Sequence, residues 1–162
     1  MDTNKTQATR RDIRDSVLCI EDDPISRKLV EVLSGSFPTV DLRLAADGVC
    51  GIRAALDAMP DVILLDMHLP DMGGLEVVRA LSQHIAEGEC RVILLTADKL
   101  TIDVVKAMSL GARECWLKPL SLERLQSDLH RVMETLRAER RDAVASSLKP
   151  GSRWISAAGV CH

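Results

Sequence analysis

Residues 62–74 read VILLDMHLPDMGG, and they place four apolar residues directly before an acid. A run of Val, Ile and Leu that ends abruptly in Asp66 reads as a fully buried strand with a carboxylate at its end. Such a carboxylate is costly unless other groups come to meet it. The rest of the chain supplies the candidates. "RVILLT" (91–96) is a second fully apolar strand and "SVLCIE" (16–21) a third. "VDLRLA" (40–45) alternates like a strand with one wetter face, and "RECWLK" (113–118) is a fifth.

Helical periodicity fills the gaps. Residues 24–35, 48–59, 74–85, 101–111 and 121–141 each read as a helix. In the first, Ile25, Leu29, Val32 and Leu33 share a face; Asp23 suits the N-cap, Pro24 the first position and Gly35 the stop. In the last, Leu122, Leu125, Leu129, Val132, Met133 and Leu136 form the inner stripe. Two glycines weaken the helix at 48–59. Five strand–helix repeats with apolar strands imply an α/β protein with a parallel sheet covered on both faces. The three most apolar strands belong in the middle, which suits the doubly wound order 2-1-3-4-5. Residues 1–15 read as a flexible polar arm, 16–141 as the folded domain and 142–162 as a mobile tail.

Composition narrows the class. The chain has 162 residues, 46% hydrophobic and 28% charged, enough for a packed aliphatic core. Its aromatics are Phe37, Trp116 and Trp154, too few for base stacking. The net charge is −3; residues 1–15 carry +1 and residues 137–162 carry +3, so the middle carries −7. An acidic centre argues against nucleic acid. The basic stretch Arg137–Arg141 reads as a solvated helix face. Cys19, Cys50, Cys90, Cys115 and Cys161 have no metal-ligand spacing, and scattered thiols fit a reducing cytoplasm. The terminal pair Cys161–His162 falls short of a four-ligand site. A polar N-terminus and the lack of a long apolar run point to neither a secretory signal nor a membrane span.

In a parallel sheet, the ends of the strands meet at one edge. Glu21, Asp22 and Asp23 follow strand 1, Asp66 ends strand 3, Thr96 ends strand 4 and Lys118 ends strand 5. Asp23 reads as the N-cap of the next helix. The remaining carboxylates, hydroxyl and ammonium share a pocket. Crowded carboxylates repel, and a hard divalent cation such as Mg²⁺ relieves that repulsion. Lys118 supplies a point charge for a phosphate oxygen, and Thr96 a hydroxyl. Such a pocket suits a phosphoryl group, with an aspartate as nucleophile.

These residues resemble the receiver domain of two-component response regulators, over roughly 16–136. The likeness rests on Glu21/Asp22, Asp66 with its "DMHLPDMGG" loop, Thr96 in "LLTA" and Lys118 in "LKP". The intervals are 44 residues from Asp22 to Asp66, 30 to Thr96 and 22 to Lys118. The resemblance implies the flavodoxin-like (βα)5 arrangement and a phosphorelay role. Asp66 would take a phosphoryl group from phosphohistidine on a histidine kinase or histidine phosphotransfer protein, or from acetyl phosphate. Mg²⁺ would be held by Asp22, Asp66, the His68 backbone carbonyl and, through water, Glu21. Thr96 would swing toward the phosphoryl group, and that shift would be the output. His68 and Asp98 occupy positions that tune dephosphorylation. Cys115 stands where the family usually has Tyr, Phe or His, and Trp116 should point to the other face of its strand. The sequence is also similar to receivers of hybrid histidine kinases.

The expected product is a cytoplasmic phosphoacceptor rather than a turnover enzyme, without an effector domain. It would be a monomer or weak dimer that signals to a downstream protein through the face made by the helix at 101–111, the strand at 113–118 and the helix at 121–141. Two alternatives stand beside it. A pseudo-receiver would bind partners without phosphorylation. A Mg²⁺-dependent aspartyl-phosphate phosphatase of the haloacid dehalogenase kind needs an acid two residues after the nucleophile, where this chain has His68. A dinucleotide or flavin module is disfavoured because no GxGxxG loop follows strand 1.

Overall fold

The computed structural model describes residues 15–148. Five strands form one parallel sheet: β1 (Asp15–Ile20), β2 (Val40–Ala45), β3 (Val62–Asp66), β4 (Arg91–Thr96) and β5 (Glu114–Leu117), in the order β2-β1-β3-β4-β5. This is the doubly wound order that the apolar pattern predicts. β1, β3 and β4 are buried almost throughout, whereas the edge strand β2 alternates with partial exposure. Six helices connect and follow the strands: α1 (Pro24–Ser34), α2 (Gly48–Asp57), α3 (Gly74–Ala80), α4 (Ser82–Ala86), α5 (Ile102–Ser109) and α6 (Leu122–Leu148).

Alternate residues of each central strand face opposite sides. On one side Leu18, Ile20, Ile63, Leu65, Val92 and Leu94 join Ala55 of α2, Val77 and Val78 of α3 and Val104 and Ala107 of α5 in one core. The glycines of α2 belong to this packing. A Cβ at Gly51 would stand 2.5–2.9 Å from three side-chain atoms of Ile20, so the absent side chain lets α2 approach β1.

The structure departs from the sequence reading in five places. Asp15, read as the end of the arm, is the buried first residue of β1, because its N–H joins the sheet edge by donating to Thr39 O at 3.1 Å. In α1 the inward residues are Val30 and Leu33, while Ile25 is 73% exposed and Val32 53%. Two apolar rows overlap in this helix. The Asp23 cap, which accepts from both the amide and the hydroxyl of Ser26 (2.9 and 2.7 Å), accompanies a phase in which the 30/33 row faces in. The helix read at 74–85 is broken at Leu81, whose ψ of 7° separates α3 from α4. Leu122 opens α6 and stays 40% exposed, so the buried stripe starts at Leu125. Finally, α6 runs on to Leu148, through residues read as tail. No Pro or Gly interrupts it before Pro150, and Ala143 and Ala145 favour helix. Residues 1–14, 149–162 and the Cys161–His162 pair lie outside the described residues.

One compact unit ends at Leu125. The second begins at Gln126 and consists, over its described residues, of the remainder of α6. Within it Leu129, Val132, Met133 and Leu136 recur at helical spacing and are buried. No helix among the described residues is long and apolar enough to cross a membrane.

Candidate functional site

The carboxyl ends of β1, β3, β4 and β5 meet at one edge of the sheet. Ladder hydrogen bonds carry the backbone past each strand end. Glu21 N–H donates to Ala45 O (3.0 Å), Met67 N–H to Leu95 O (3.1 Å) and Lys118 N–H to Thr96 O (2.7 Å). These bonds fix where the next side chains emerge. Glu21, Asp66 and Thr96 are buried, and Asp22 is exposed.

Lys118 joins the two buried acids. Its Nζ donates to Glu21 Oε1 at 3.0 Å, lies 2.8 Å from Glu21 Oε2, and reaches Asp66 Oδ2 at 3.3 Å. The contact with Oε2 is an ion pair without hydrogen-bond geometry, so that fully buried oxygen accepts no hydrogen bond. Glu21, Asp22 and Asp66 bring one carboxylate oxygen each to within 4.8 Å of one another. Burial pushes the Glu21 pKa up to about 7, against the pull of Lys118 and with a further push from Asp66. Burial opposes the Lys118 ammonium, but Glu21 and Asp66 outweigh it and hold its pKa above the usual lysine value.

The β3–α3 loop, 67–73, closes over this edge. His68 N–H donates to Asp66 Oδ1 at 3.0 Å, and His68 and Gly73 form an isolated antiparallel bridge. Gly74 N–H donates to Met67 O at 2.9 Å. A Cβ at Gly74 would lie 2.8 Å from Met67 Cα and 2.9 Å from Asp66 O, so only glycine allows the loop to return this close to Asp66.

Of the residues singled out from the sequence, Glu21, Asp22, Asp66 and Lys118 are brought together. Thr96 stands at the end of the neighbouring strand, but its hydroxyl is engaged elsewhere. Thr96 Oγ1 donates to Asp98 O at 3.0 Å and accepts from Asp98 N–H at 3.2 Å. Cys115 lies opposite Leu94 in the β4–β5 ladder and packs, half-buried, against the core that includes Val104 and Ala107. Burial raises its thiol pKa, with Lys99 pulling the other way. Trp116 belongs to the opposite side and donates from Nε1 to Glu114 Oε2 at 2.8 Å. The Asp23 carboxylate caps α1, while its backbone N–H donates to Glu21 Oε1 at 3.1 Å and so helps to hold that acid in the cluster.

The sequence reading assigned no role to Asp71. Its carboxylate accepts from Gly48 N–H (2.8 Å) and Val49 N–H (2.9 Å), the first amides of α2, and these bonds hold its pKa below the usual range. The available signal was an acid between Pro70 and Gly73 that no nearby helix start could use.

The strand order reverses between β1 and β3, and the carboxyl edge at that point is the switch edge of the sheet. A sheet of this order, with acids and a lysine at its switch edge, defines a class, and comparison with known proteins gives it a family. The model of the response regulator receiver domain matches residues 17–130. The chain belongs to that family. It is 33% identical over 114 residues to the DNA-binding response regulator MtrA of Mycolicibacterium smegmatis, covering 70% of this chain and 48% of that protein. It is 33% identical over 154 residues to protein-glutamate methylesterase/protein-glutamine glutaminase 6 of Anaeromyxobacter dehalogenans, covering 93% and 41%. The chain thus spans less than half the length of these curated relatives. Among solved structures it is similar to Vibrio cholerae chemotaxis protein CheY4, with TM-score 0.64, 27% identity and coverage of 74% and 98%. It is also similar to the receiver domain of sensor histidine kinase PA1611 from Pseudomonas aeruginosa, with TM-score 0.61, 28% identity and coverage of 73% and 96%. That structure has a magnesium ion coordinated in its active-site cleft.

Proposed function

We propose that this chain is a phosphoacceptor, which takes a phosphoryl group from phosphohistidine of a histidine kinase or phosphotransfer protein onto Asp66. The observation that carries this reading is the Lys118 ammonium held between two buried carboxylates at the switch edge, with a third acid beside them. In the transfer, an Asp66 carboxylate oxygen attacks phosphorus, the O–P bond forms, the N–P bond breaks and the imidazole leaves. Asp66 is suited to attack because β3 holds it rigidly and His68 N–H fixes Oδ1. Lys118, already 3.3 Å from Asp66 Oδ2, is placed to exchange a carboxylate contact for one to a phosphoryl oxygen.

The donor set fits a hard cation: three carboxylates within reach, one with a buried oxygen that accepts no hydrogen bond. Asp22, Asp66 and the His68 carbonyl would hold Mg²⁺, with Glu21 beyond them. When bound, Mg²⁺ neutralises charge on the oxygens of the phosphoryl group. Thr96 reaches the phosphoryl group by giving up its Asp98 contacts, and that exchange couples the site to the start of α5. Cys115 leaves a small side chain at the usual aromatic position, while His68 and Asp98 flank the path of the hydrolytic water. The exposed Ile102, Val105, Leu117 and Leu122 support signalling by protein contact.

Intact-mass measurement after incubation with acetyl phosphate and Mg²⁺ tests the reading. We expect one hydroxylamine-labile phosphoryl adduct on the wild-type chain and none on Asp66→Ala. If neither acetyl phosphate nor purified phosphohistidine donors produce an adduct, the reading fails and phosphate-independent binding takes its place.

A further inference from the structure

We infer that Asp71 is a positioning residue for the phosphoacceptor edge, acting by fastening the β3–α3 loop to the first turn of α2. The inference rests on the phosphoacceptor reading for its consequence, but the fastening itself is geometric. Loop 67–73 carries the His68 amide, which binds Asp66 Oδ1, and the His68 carbonyl, which faces the same chemistry in that reading. The loop's bridge between His68 and Gly73 is internal to it. Among the described residues, Asp71 supplies the side-chain hydrogen bonds from this loop to another element.

Those bonds are directional. Two carboxylate oxygens accept from two successive amides, Gly48 at 2.8 Å and Val49 at 2.9 Å. Charge-assisted bonds of this kind resist rotation and sliding alike. The surfaces also meet closely: a Cβ at Gly48 would overlap the Met72 side chain. Asp47 caps α2 locally by accepting from Cys50 N–H at 2.7 Å and leaves the amides of Gly48 and Val49 to Asp71. Asp71 therefore uses amides that lie at the helix start to pin a loop arriving from elsewhere in the chain. Partners that orient a ligand group without touching the metal commonly set its affinity.

The test compares wild type, Asp71→Ala, Asp71→Asn and Asp47→Ala. Mg²⁺ binding is followed by titration calorimetry, and exchange of the His68 amide by NMR. Asp71→Ala is expected to weaken Mg²⁺ about tenfold and to speed His68 exchange. Asp71→Asn, which keeps one carbonyl acceptor, should fall between it and wild type, and it serves if the alanine variant does not fold. Asp47→Ala, which removes the local cap alone, should leave both quantities at their wild-type values. Unchanged Mg²⁺ binding and exchange in both Asp71 variants would overturn the inference, as would equal losses in the Asp47 and Asp71 variants, which would reduce Asp71 to a helix cap. A wild-type chain that binds no Mg²⁺ would overturn the phosphoacceptor reading instead, and His68 exchange would still decide whether Asp71 holds the loop.

Discussion

Glu21 is where the energetics of the site are most exposed to experiment. Its folded pKa, raised to about 7, exceeds its ordinary value, so the folded state holds a proton that the unfolded state has already released. Stability from this group is full below about pH 4.5 and declines as pH rises toward 7. In metal-free buffer the domain should therefore lose up to roughly 1–3 kcal/mol across that window. Urea unfolding of wild type and Glu21→Gln at pH 5 and pH 8 measures it; the difference should shrink in the variant. Positions such as Glu21, Asp66 and Lys118 were legible in the sequence because strand ends in a parallel sheet are geometrically fixed. Which partner each side chain takes was not. The choice of Thr96 to bind Asp98 depends on a rotamer set by its neighbours, and the grip of Asp71 on α2 joins residues 22 and 23 positions apart.

Elements were legible where one periodicity prevailed. The unbroken apolar runs of β1, β3 and β4 admit one reading, and their centrality follows from burial on both faces. α1 shows the opposite case: two apolar rows at helical spacing, and a phase that the sequence pattern alone could not select. α2 shows a third: of the two glycines that weaken it in isolation, Gly51 becomes a contact point against β1 and Gly48 one against Met72. Adding a methyl at Gly51 should overpack that contact and cost about 1–3 kcal/mol, while Leu64→Ala, within fully buried β3, should cost about 2–5 kcal/mol. Chemical denaturation of both variants, with unchanged helical circular dichroism before the transition, checks these values.

For the whole molecule, a cation that binds the folded site and not the unfolded chain must raise stability by mass action. At a hundredfold excess of Mg²⁺ over its dissociation constant the gain is about 2.7 kcal/mol, which moves the thermal midpoint by several degrees and should vanish in Asp66→Ala. The same linkage gives the buried thiols a use. Cys19 sits in the central strand β1 with its pKa pushed up to about 12 by burial, and Cys90 is held at about 11, whereas Cys50 is exposed. A thiol that ionises so reluctantly and meets no solvent reacts only after the sheet opens. Alkylation of Cys19 is thus a clock for global opening, readable peptide by peptide in a mass spectrometer. A slower Cys19 clock with Mg²⁺ present, against an unchanged rate at Cys50, would register occupancy of the acidic edge from within the core.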